Sequence, residues 1–521
     1  MIETAIVGAG LCGLVIAREL QRQGVSYAVF EARGRLGGRV LTALNATTGL
    51  AVDLGPAWYW PETEPRMARL VDELGLESFP QHDTGELLNL ADHDRAPEVL
   101  QRPKLHDGAR RLEGGMGSLI RALSAELPES TLRLEHELVR LADRGDHLLL
   151  EFRHGEASIE VPVRRVVLAL PPRLLEQRVE FQPALDDELR QILRATPTWM
   201  ATQAKAVVVY RQAFWRQQGH SGNALVSHGH AVLGEIFDAC DADGERAALG
   251  GFFSLPPDLR ASLQPGMAML ISSQLTQVFG PDAETGRQYL QDWASEAWTC
   301  ADLDRTDPAL QLANGHPALR QEHWGGRLHF AGTETAAYGG GHLEGALDAA
   351  ARVLRALQSM GQSAGATGDN AASLGLLSSW IEAQQPAAFE RYRRLFQQDL
   401  ALQVKHQLTQ RAVLTTMEQI YGEALALLQQ LPFSDGTPPR QGRSALTPQV
   451  LAAFGGFNKT LLEQVVDYNR SSCAISNFPD EHQLPPEYLE TIARDLAAAW
   501  REFALSVNQL LLAKTGMAEA A

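Results

Sequence analysis

The chain is short of cysteine, of basic residues and of long apolar runs, and each shortage removes a class of protein. Four cysteines, Cys12, Cys240, Cys300 and Cys473, are scattered through 521 residues with no CxxC pair. That spacing suits neither a zinc site nor a disulfide framework, so no metal is expected. Lysine and arginine number 46 against 63 aspartates and glutamates, a net charge of −17. A chain of that sign is a poor partner for nucleic acid or an anionic membrane. No stretch reaches the ~18 to 20 apolar residues that a membrane-spanning helix needs. The opening MIETAIVGAG leaves no room for a secretory leader before the first strand, so a cytoplasmic location is the default expectation. The remaining composition, 45% hydrophobic and 21% charged, is that of a globular protein of two or three domains.

Thr4 to Val7 form an apolar run that ends in Gly8-Ala9-Gly10-Leu11-Cys12-Gly13. An amphipathic stretch follows, with Leu14, Ala17 and Leu20 opposite Arg18, Glu19 and Gln21, and then SYAVF ending in Glu31. The order strand, glycine turn, helix, strand, acid is that of a dinucleotide-binding unit. Gly8 permits the turn, Gly10 lets backbone approach a pyrophosphate, and Gly13 lets helix and strand pack closely. The helix N-terminus offers free N–H groups to the phosphates, and Glu31 can accept from ribose hydroxyls.

After Glu31 comes Ala32-Arg33-Gly34-Arg35-Leu36-Gly37-Gly38-Arg39-Val40-Leu41-Thr42, a second glycine–arginine loop that nicotinamide enzymes do not usually carry. Far downstream, Arg327-Leu328-His329-Phe330-Ala331-Gly332-Thr333-Glu334-Thr335 leads to Gly339-Gly340-Gly341-His342-Leu343-Glu344-Gly345-Ala346 and a helix to about Leu357. These segments resemble the flavin-containing amine oxidase (monoamine oxidase-like) family over residues 1 to about 360. The resemblance implies an α/β fold: a Rossmann-like FAD-binding domain of the GR2 type, an interleaved α+β substrate domain and, beyond them, an all-α C-terminal region. It allots residues 1–77, 114–194 and 296–360 to FAD binding, and 78–113 and 195–295 to the substrate domain.

The same resemblance implies non-covalent FAD held by Gly8, Gly10, Gly13, Glu31, Arg33, Gly38, Arg39, Gly55, Pro56, Ala57, Trp58, Leu138, Gly332, Thr333, Glu334, Gly341, His342 and Leu343. The helix opening at Leu343 would set its positive end near the flavin ring and favour the charge of reduced flavin. The strand Arg165–Leu170 is stopped by Pro171 and Pro172 as in the family, and LRLEHELVRL reads as one further strand. Lys205, within Ala204-Lys205-Ala206-Val207-Val208-Val209-Tyr210 and ahead of Phe214-Trp215, resembles the family lysine that holds a water against flavin N5 and aids reoxidation by oxygen. A lysine in an apolar strand is costly without a partner; the alternative is an edge lysine that reaches solvent along its stem. The implied reaction removes a hydride from the α-carbon of an amine to N5. The imine hydrolyses to aldehyde or ketone, and flavin is reoxidised by O2, with release of H2O2, or by another acceptor.

Several departures bear on the substrate, whose pocket is expected to include Trp58, Trp293 and His342. Pro56 replaces a family glycine and has no N–H to donate. The covalent-flavin cysteine of monoamine oxidases would fall near Asp302; Cys300 is close but poorly matched. Their paired tyrosine cage becomes His342 and, by alignment, Leu303. Trp58, Tyr59 and Trp60 suit either a pocket wall or the core. Amino-acid oxidases carry an arginine after the DLG segment; Pro56-Ala57-Trp58-Tyr59-Trp60-Pro61 has none, which favours an amine without a carboxylate. Only about forty residues separate Leu76 from Gly114, where many relatives insert helices.

The stretch 361–375 is small and polar and reads as a linker. Residues 376–515 carry helical stripes: Phe389, Tyr392, Phe396, Leu400; Val413, Met417, Ile420, Ala424, Leu427, Leu431; and Leu489, Ile492, Leu496, Ala499, Phe503, Leu510. Pro432 to Gly442 interrupts them. This tail resembles no family; it either packs on the first part of the chain or stands as a bundle for partner binding or dimerisation, and a homodimer stays open. The alternative activities are an FAD-dependent desaturase or dehydrogenase using another acceptor, and a flavoprotein that binds partners through its tail.

Overall fold

The computed structural model describes residues 1–100, 104–308, 315–362, 370–401, 407–433, 444–471 and 479–514. They divide into two compact units, Met1–Ala356 and Leu357–Ala521.

The first unit is built on two sheets. In the nine-stranded one, Ile2–Val7 runs parallel to Tyr27–Phe30 on one side and Ala157–Leu168 on the other. Leu328–Phe330 lies parallel to Ala157–Leu168. Val7 pairs with Phe30 and Leu168, and Leu168 with Phe330. Four parallel strands therefore end at one level, and the loops after them open on one crevice. Ligands of open α/β sheets bind in that position. The strands are buried on both faces and read as continuous apolar runs.

The expected single strand LRLEHELVRL is two, Leu132–Arg133 and Glu137–Asp143. The first pairs with Tyr27–Phe30, the second with Leu148–His154. Between them Glu135 has φ 58°. The N–H groups of Glu135 and His136 donate to the carbonyls of Arg33 and Glu31 at 3.1 and 2.8 Å. The chain bends there because it changes partner to follow that loop.

The second sheet has seven strands: Glu86–Leu90 and Glu98–Leu100 from one part of the sequence, and five strands between Ala204 and Asp292 from another. One face packs on the helices Pro257–Leu263 and Met267–Phe279 through Ala204, Ala206, Val208 and Tyr210. Alternation turns Lys205, Val207 and Val209 to the other face, where Leu50, Val52, Leu54 and Trp58 gather.

A helix runs from Leu343 to Gln362, and the next begins at Asn370. The stretch 361–375 is thus helical at both ends rather than a linker throughout; 363–369 lie outside the described residues, as do 434–443 and Cys473. The second unit is helical: Asn370–Ala401, Leu408–Gln430, Phe457–Ser471 and Pro486–Lys514 are its longest elements. Its stripes share one core, in which Tyr392, Phe396, Val413, Met417, Ile420 and Phe503 are buried.

Candidate active site

A cavity of about 570 Å³ begins at the strand ends of the first sheet and reaches the inner face of the second. Its size is in the range of small-molecule and cofactor sites. Of the predicted residues it is lined by Gly8, Gly10, Glu31, Arg33, Gly38, Arg39, Gly55, Pro56, Ala57, Trp58, Leu138, Lys205, Trp293, Gly332, Thr333, Gly341, His342 and Leu343. Segments from opposite ends of the sequence thus meet around one space. Gly13 and Glu334 do not line it. Gly13 sits where a Cβ would fall 2.0 Å from the Gly8 carbonyl oxygen, so its work is helix–strand packing. Glu334 is buried and takes both Nη atoms of Arg39, at 2.6 and 3.0 Å. That bidentate pair joins the two glycine-rich halves of the site.

The dinucleotide end is prepared by backbone. Gly10 caps the helix Leu11–Arg22 with no side-chain hydrogen bond, so first-turn N–H groups stay unclaimed by a cap. A Cβ added at Gly10 would meet no protein atom within 4 Å; the space beside it belongs to the cavity. Glu31 accepts from the N–H of Ala9 at 2.9 Å and of Arg33 at 3.0 Å, which fixes both loops. Arg33 does not reach freely toward phosphate: its guanidinium donates to Glu296 at 2.9 Å and Thr299 at 2.7 Å.

At the other end lies Lys205, 2% exposed. Its Nζ donates to the Gly55 carbonyl at 2.9 Å and stands 5.1 to 5.6 Å from the ring centres of Phe237, Phe252 and Trp58. Burial pushes its pKa down to about 7, with Asp53 acting the other way. Asp53 is itself buried; its Oδ1 accepts from Thr42 and Met116, while Oδ2 has no hydrogen-bond partner among the described residues. The edge-lysine alternative is excluded, since the strand has neighbours on both sides. Trp58 donates to Gln81 at 2.7 Å and lines the cavity, as Trp60 does; Tyr59 is core at 3% exposure. Trp293 donates to the Leu54 carbonyl at 3.2 Å. Cys300, Asp302 and Leu303 are not among the lining residues.

Among the lining residues that sequence reasoning missed are Glu64, His106 and Glu235. His106 stacks on Trp58 with ring centres 4.3 Å apart and faces Glu235 at 3.1 Å. Burial acts to lower its pKa, but Asp83 and Glu235 outweigh it and hold it above the usual value. Glu64 lies 3.9 Å from His342 Nδ1. Burial drives Glu64 up to about 7; the His342 side chain is 45% exposed. None of the three belongs to a motif, and their sequence neighbourhoods carry no periodic signal.

Parallel strand ends, a glycine-lined dinucleotide cradle and a buried lysine beside an aromatic chamber define a flavin-dependent oxidoreductase. The profile of the family described as flavin containing amine oxidoreductase matches residues 11–98 and 84–357. The chain belongs to that family; it is an enzyme of FAD-dependent amine oxidation. It is 22% identical over 462 residues to amine oxidase [flavin-containing] B of Sus scrofa, covering 69% of this chain and 87% of that protein. Similarity to the Oncorhynchus mykiss amine oxidase [flavin-containing] is 23% over 454 residues, 68% of this chain and 85% of that one. Among solved structures, putrescine oxidase bound to putrescine has a TM-score of 0.56 at 22% identity over 69% of this chain and 99% of that chain. Cyclohexylamine oxidase from Brevibacterium oxydans has a TM-score of 0.55 at 19% identity, over 68% and 99%. The fold is therefore that of an FAD-binding α/β protein with a helical C-terminal region. The residues present suit the cofactor: the open space at Gly10 and the uncapped helix start form a cradle that no described side chain fills. No described helix is long and apolar enough to cross a membrane.

Proposed function

We propose that this enzyme oxidises a hydrophobic amine lacking a carboxylate, with FAD bound non-covalently and O2 as the acceptor. Lys205 carries the reading: a buried amine under three aromatic rings, tied to Gly55, in the same cavity as the Gly8–Gly10 turn. Bound FAD supplies the acceptor for a hydride equivalent from the amine α-carbon, and the imine so formed hydrolyses to an aldehyde or ketone. The chain's own residues position and shield. Gly8, Gly10 and the helix start at Leu11 would hold the pyrophosphate, Glu31 the ribose, Leu138 the adenine edge, and Gly332 to Leu343 the ring end. Trp58, Trp293 and His342 would wall the substrate pocket. In that aromatic chamber Lys205 is poised to hold a water and to exchange a proton near neutrality, as a reoxidation step by O2 requires. A non-covalent cofactor is supported by two observations: Cys300 does not line the cavity, and Cys12, which does, sits beside the Gly8–Gly10 turn with its thiol pKa raised by burial. The buried free thiols of Cys12, Cys240 and Cys300 suit a reducing compartment such as the cytoplasm.

The test is anaerobic reduction of the purified yellow protein by benzylamine, cyclohexylamine and putrescine in turn. Loss of the oxidised-flavin absorbance with at least one, and recovery on admitting air with H2O2 formed, is the expected result. Retention of colour with every amine would overturn it. Unchanged air reoxidation in Lys205→Met would remove that lysine's role.

A further inference from the structure

We propose that Glu64 is the anionic anchor for the ammonium group of the incoming amine, a binding residue that this chain builds at the substrate end of its cavity. The inference rests on the amine-oxidation reading and names a contact within that site. Glu64 lines the cavity with its side chain 9% exposed. The turn that carries it closes through its own N–H on the Trp60 carbonyl at 2.8 Å, and its Oε2 accepts from the N–H of Trp60 at 2.8 Å. One oxygen is thereby fixed and the side chain aimed. The other, Oε1, has His342 Nδ1 as its nearest basic neighbour at 3.9 Å, beyond hydrogen-bond reach.

Glu64 lines the cavity and Oε1 is not among the enclosed atoms left without a partner, so this oxygen opens on the cavity, where a cation would complete the carboxylate. Among the described residues no lysine or arginine pairs with it. Arg66, two residues on, is committed to Glu344 at 3.1 Å and Asp348 at 2.9 Å. Glu344 also takes the N–H groups of Arg66 and Met67, which closes the start of the next helix. His342, its side chain 45% exposed, stays beyond hydrogen-bond reach of Oε1. Burial raises the Glu64 pKa to about 7 in the empty cavity, and an ammonium bound at Oε1 would lower it and hold the carboxylate charged. The adjoining wall is aromatic, Trp58 and Trp60 with ring centres 6.4 Å apart. The chemistry that fits this corner is an ammonium on an apolar or aromatic group, with the charge on Oε1 and the hydrocarbon against the indoles.

The experiment uses the full-length flavin-loaded enzyme and 2-phenylpropan-2-amine, which has no hydrogen on its α-carbon and is not consumed. Its neutral analogue, 2-phenylpropan-2-ol, serves as control, and both are titrated by flavin absorbance or calorimetry. Wild type is expected to bind the ammonium at least about tenfold more tightly than the alcohol, and Glu64→Gln to lose most of that preference with the alcohol Kd unchanged. Equal losses for both ligands, or none, would overturn the proposal. So would a wild type that binds both alike, a measurement that needs no variant. Benzylamine reduction of the wild-type flavin is run in parallel. If it fails while the ammonium preference depends on Glu64, the anchor stands and amine oxidation does not.

Discussion

Gly10 and Gly13 sit three residues apart at one helix start and do different work. At Gly13 a Cβ would fall 2.0 Å from a backbone oxygen; at Gly10 it would meet no protein atom within 4 Å. Gly10→Ala is therefore expected to fold with little change in apo-protein melting temperature and to lose flavin affinity, by tenfold or more. Gly13→Ala should lower stability before any ligand is considered. The ratio of flavin to protein absorbance, and melts of the stripped proteins, read the two effects separately. These glycines were legible in the sequence because glycine there answers a backbone demand that a motif records. Lys205 was legible by its neighbours, yet its cost was not. Its folded pKa near 7 lies below the ordinary 10.5, so folding resists the proton that the unfolded chain binds. Stability is lost as pH falls from the unfolded value toward 7, and the loss is complete below 7. Lys205→Met should consequently gain stability relative to wild type most strongly near pH 7. That gain should shrink by about 2 kcal/mol by pH 9, offset throughout by the Gly55 carbonyl it leaves unpaired. Urea unfolding at the two pH values checks it; a pH-independent difference would contradict the shift. Glu64 and His106 were not legible at all. Their neighbours in the site are remote in sequence, His342 for Glu64 and Glu235 for His106, and no local pattern encodes them.

The strand Leu328–Phe330 shows how an element is fixed by what it enters. All three residues are buried, and the strand closes the parallel set beside Ala157–Leu168 before the chain turns at Gly332. Its middle residue, His329, is 1% exposed with Nε2 2.9 Å from the Gly326 carbonyl. Burial lowers its pKa to about 4, Gly326 opposing. A neutral histidine held below its unfolded value loses stability as pH falls through about 6.5, and the loss is complete near 4. Between pH 7 and pH 5 wild type should lose about 2 kcal/mol through this residue alone. His329→Gln, which keeps a donor for Gly326, should lose less over that interval in paired denaturant melts. Periodicity identified this strand, its apolar run and its glycine stop. It could not break LRLEHELVRL, where apolar spacing continues while the hydrogen-bond partner changes at Glu135. Nor could it choose a face for Lys205: Ala204 to Tyr210 are buried on both sides, and only the sheet's two neighbours decide which way the lysine turns.

At the scale of the whole chain the question left by the sequence concerns its helical tail. A stripe such as Val413, Met417, Ile420 and Ala424 states that a face is covered but not by what. The second unit answers for its own residues, because these faces meet one another around Tyr392, Phe396 and Phe503. A polar network runs through that core: Tyr392 donates to Asn469 at 2.7 Å, Asn469 donates to Thr409, and Glu481 accepts the N–H groups of Leu408 and Thr409. The carboxylate thereby closes the start of the helix Leu408–Gln430, which has no side-chain cap from its own N-cap residue. A satisfied buried network and a dry aromatic cluster are what a unit with its own cooperative unfolding contains. Phe503 is 3% exposed and stacks on Tyr421 with ring centres 4.4 Å apart, beside Phe454 at 5.1 Å. Phe503→Ala should cost about 3–5 kcal/mol, since the cavity it leaves is walled by rings that cannot collapse into it. Calorimetry with simultaneous flavin fluorescence separates the units, because the flavin cradle lies wholly within Met1–Ala356. The variant should shift a helical transition to lower temperature while flavin release keeps its midpoint. A fall in both midpoints would show that the tail's stability is felt at the cofactor.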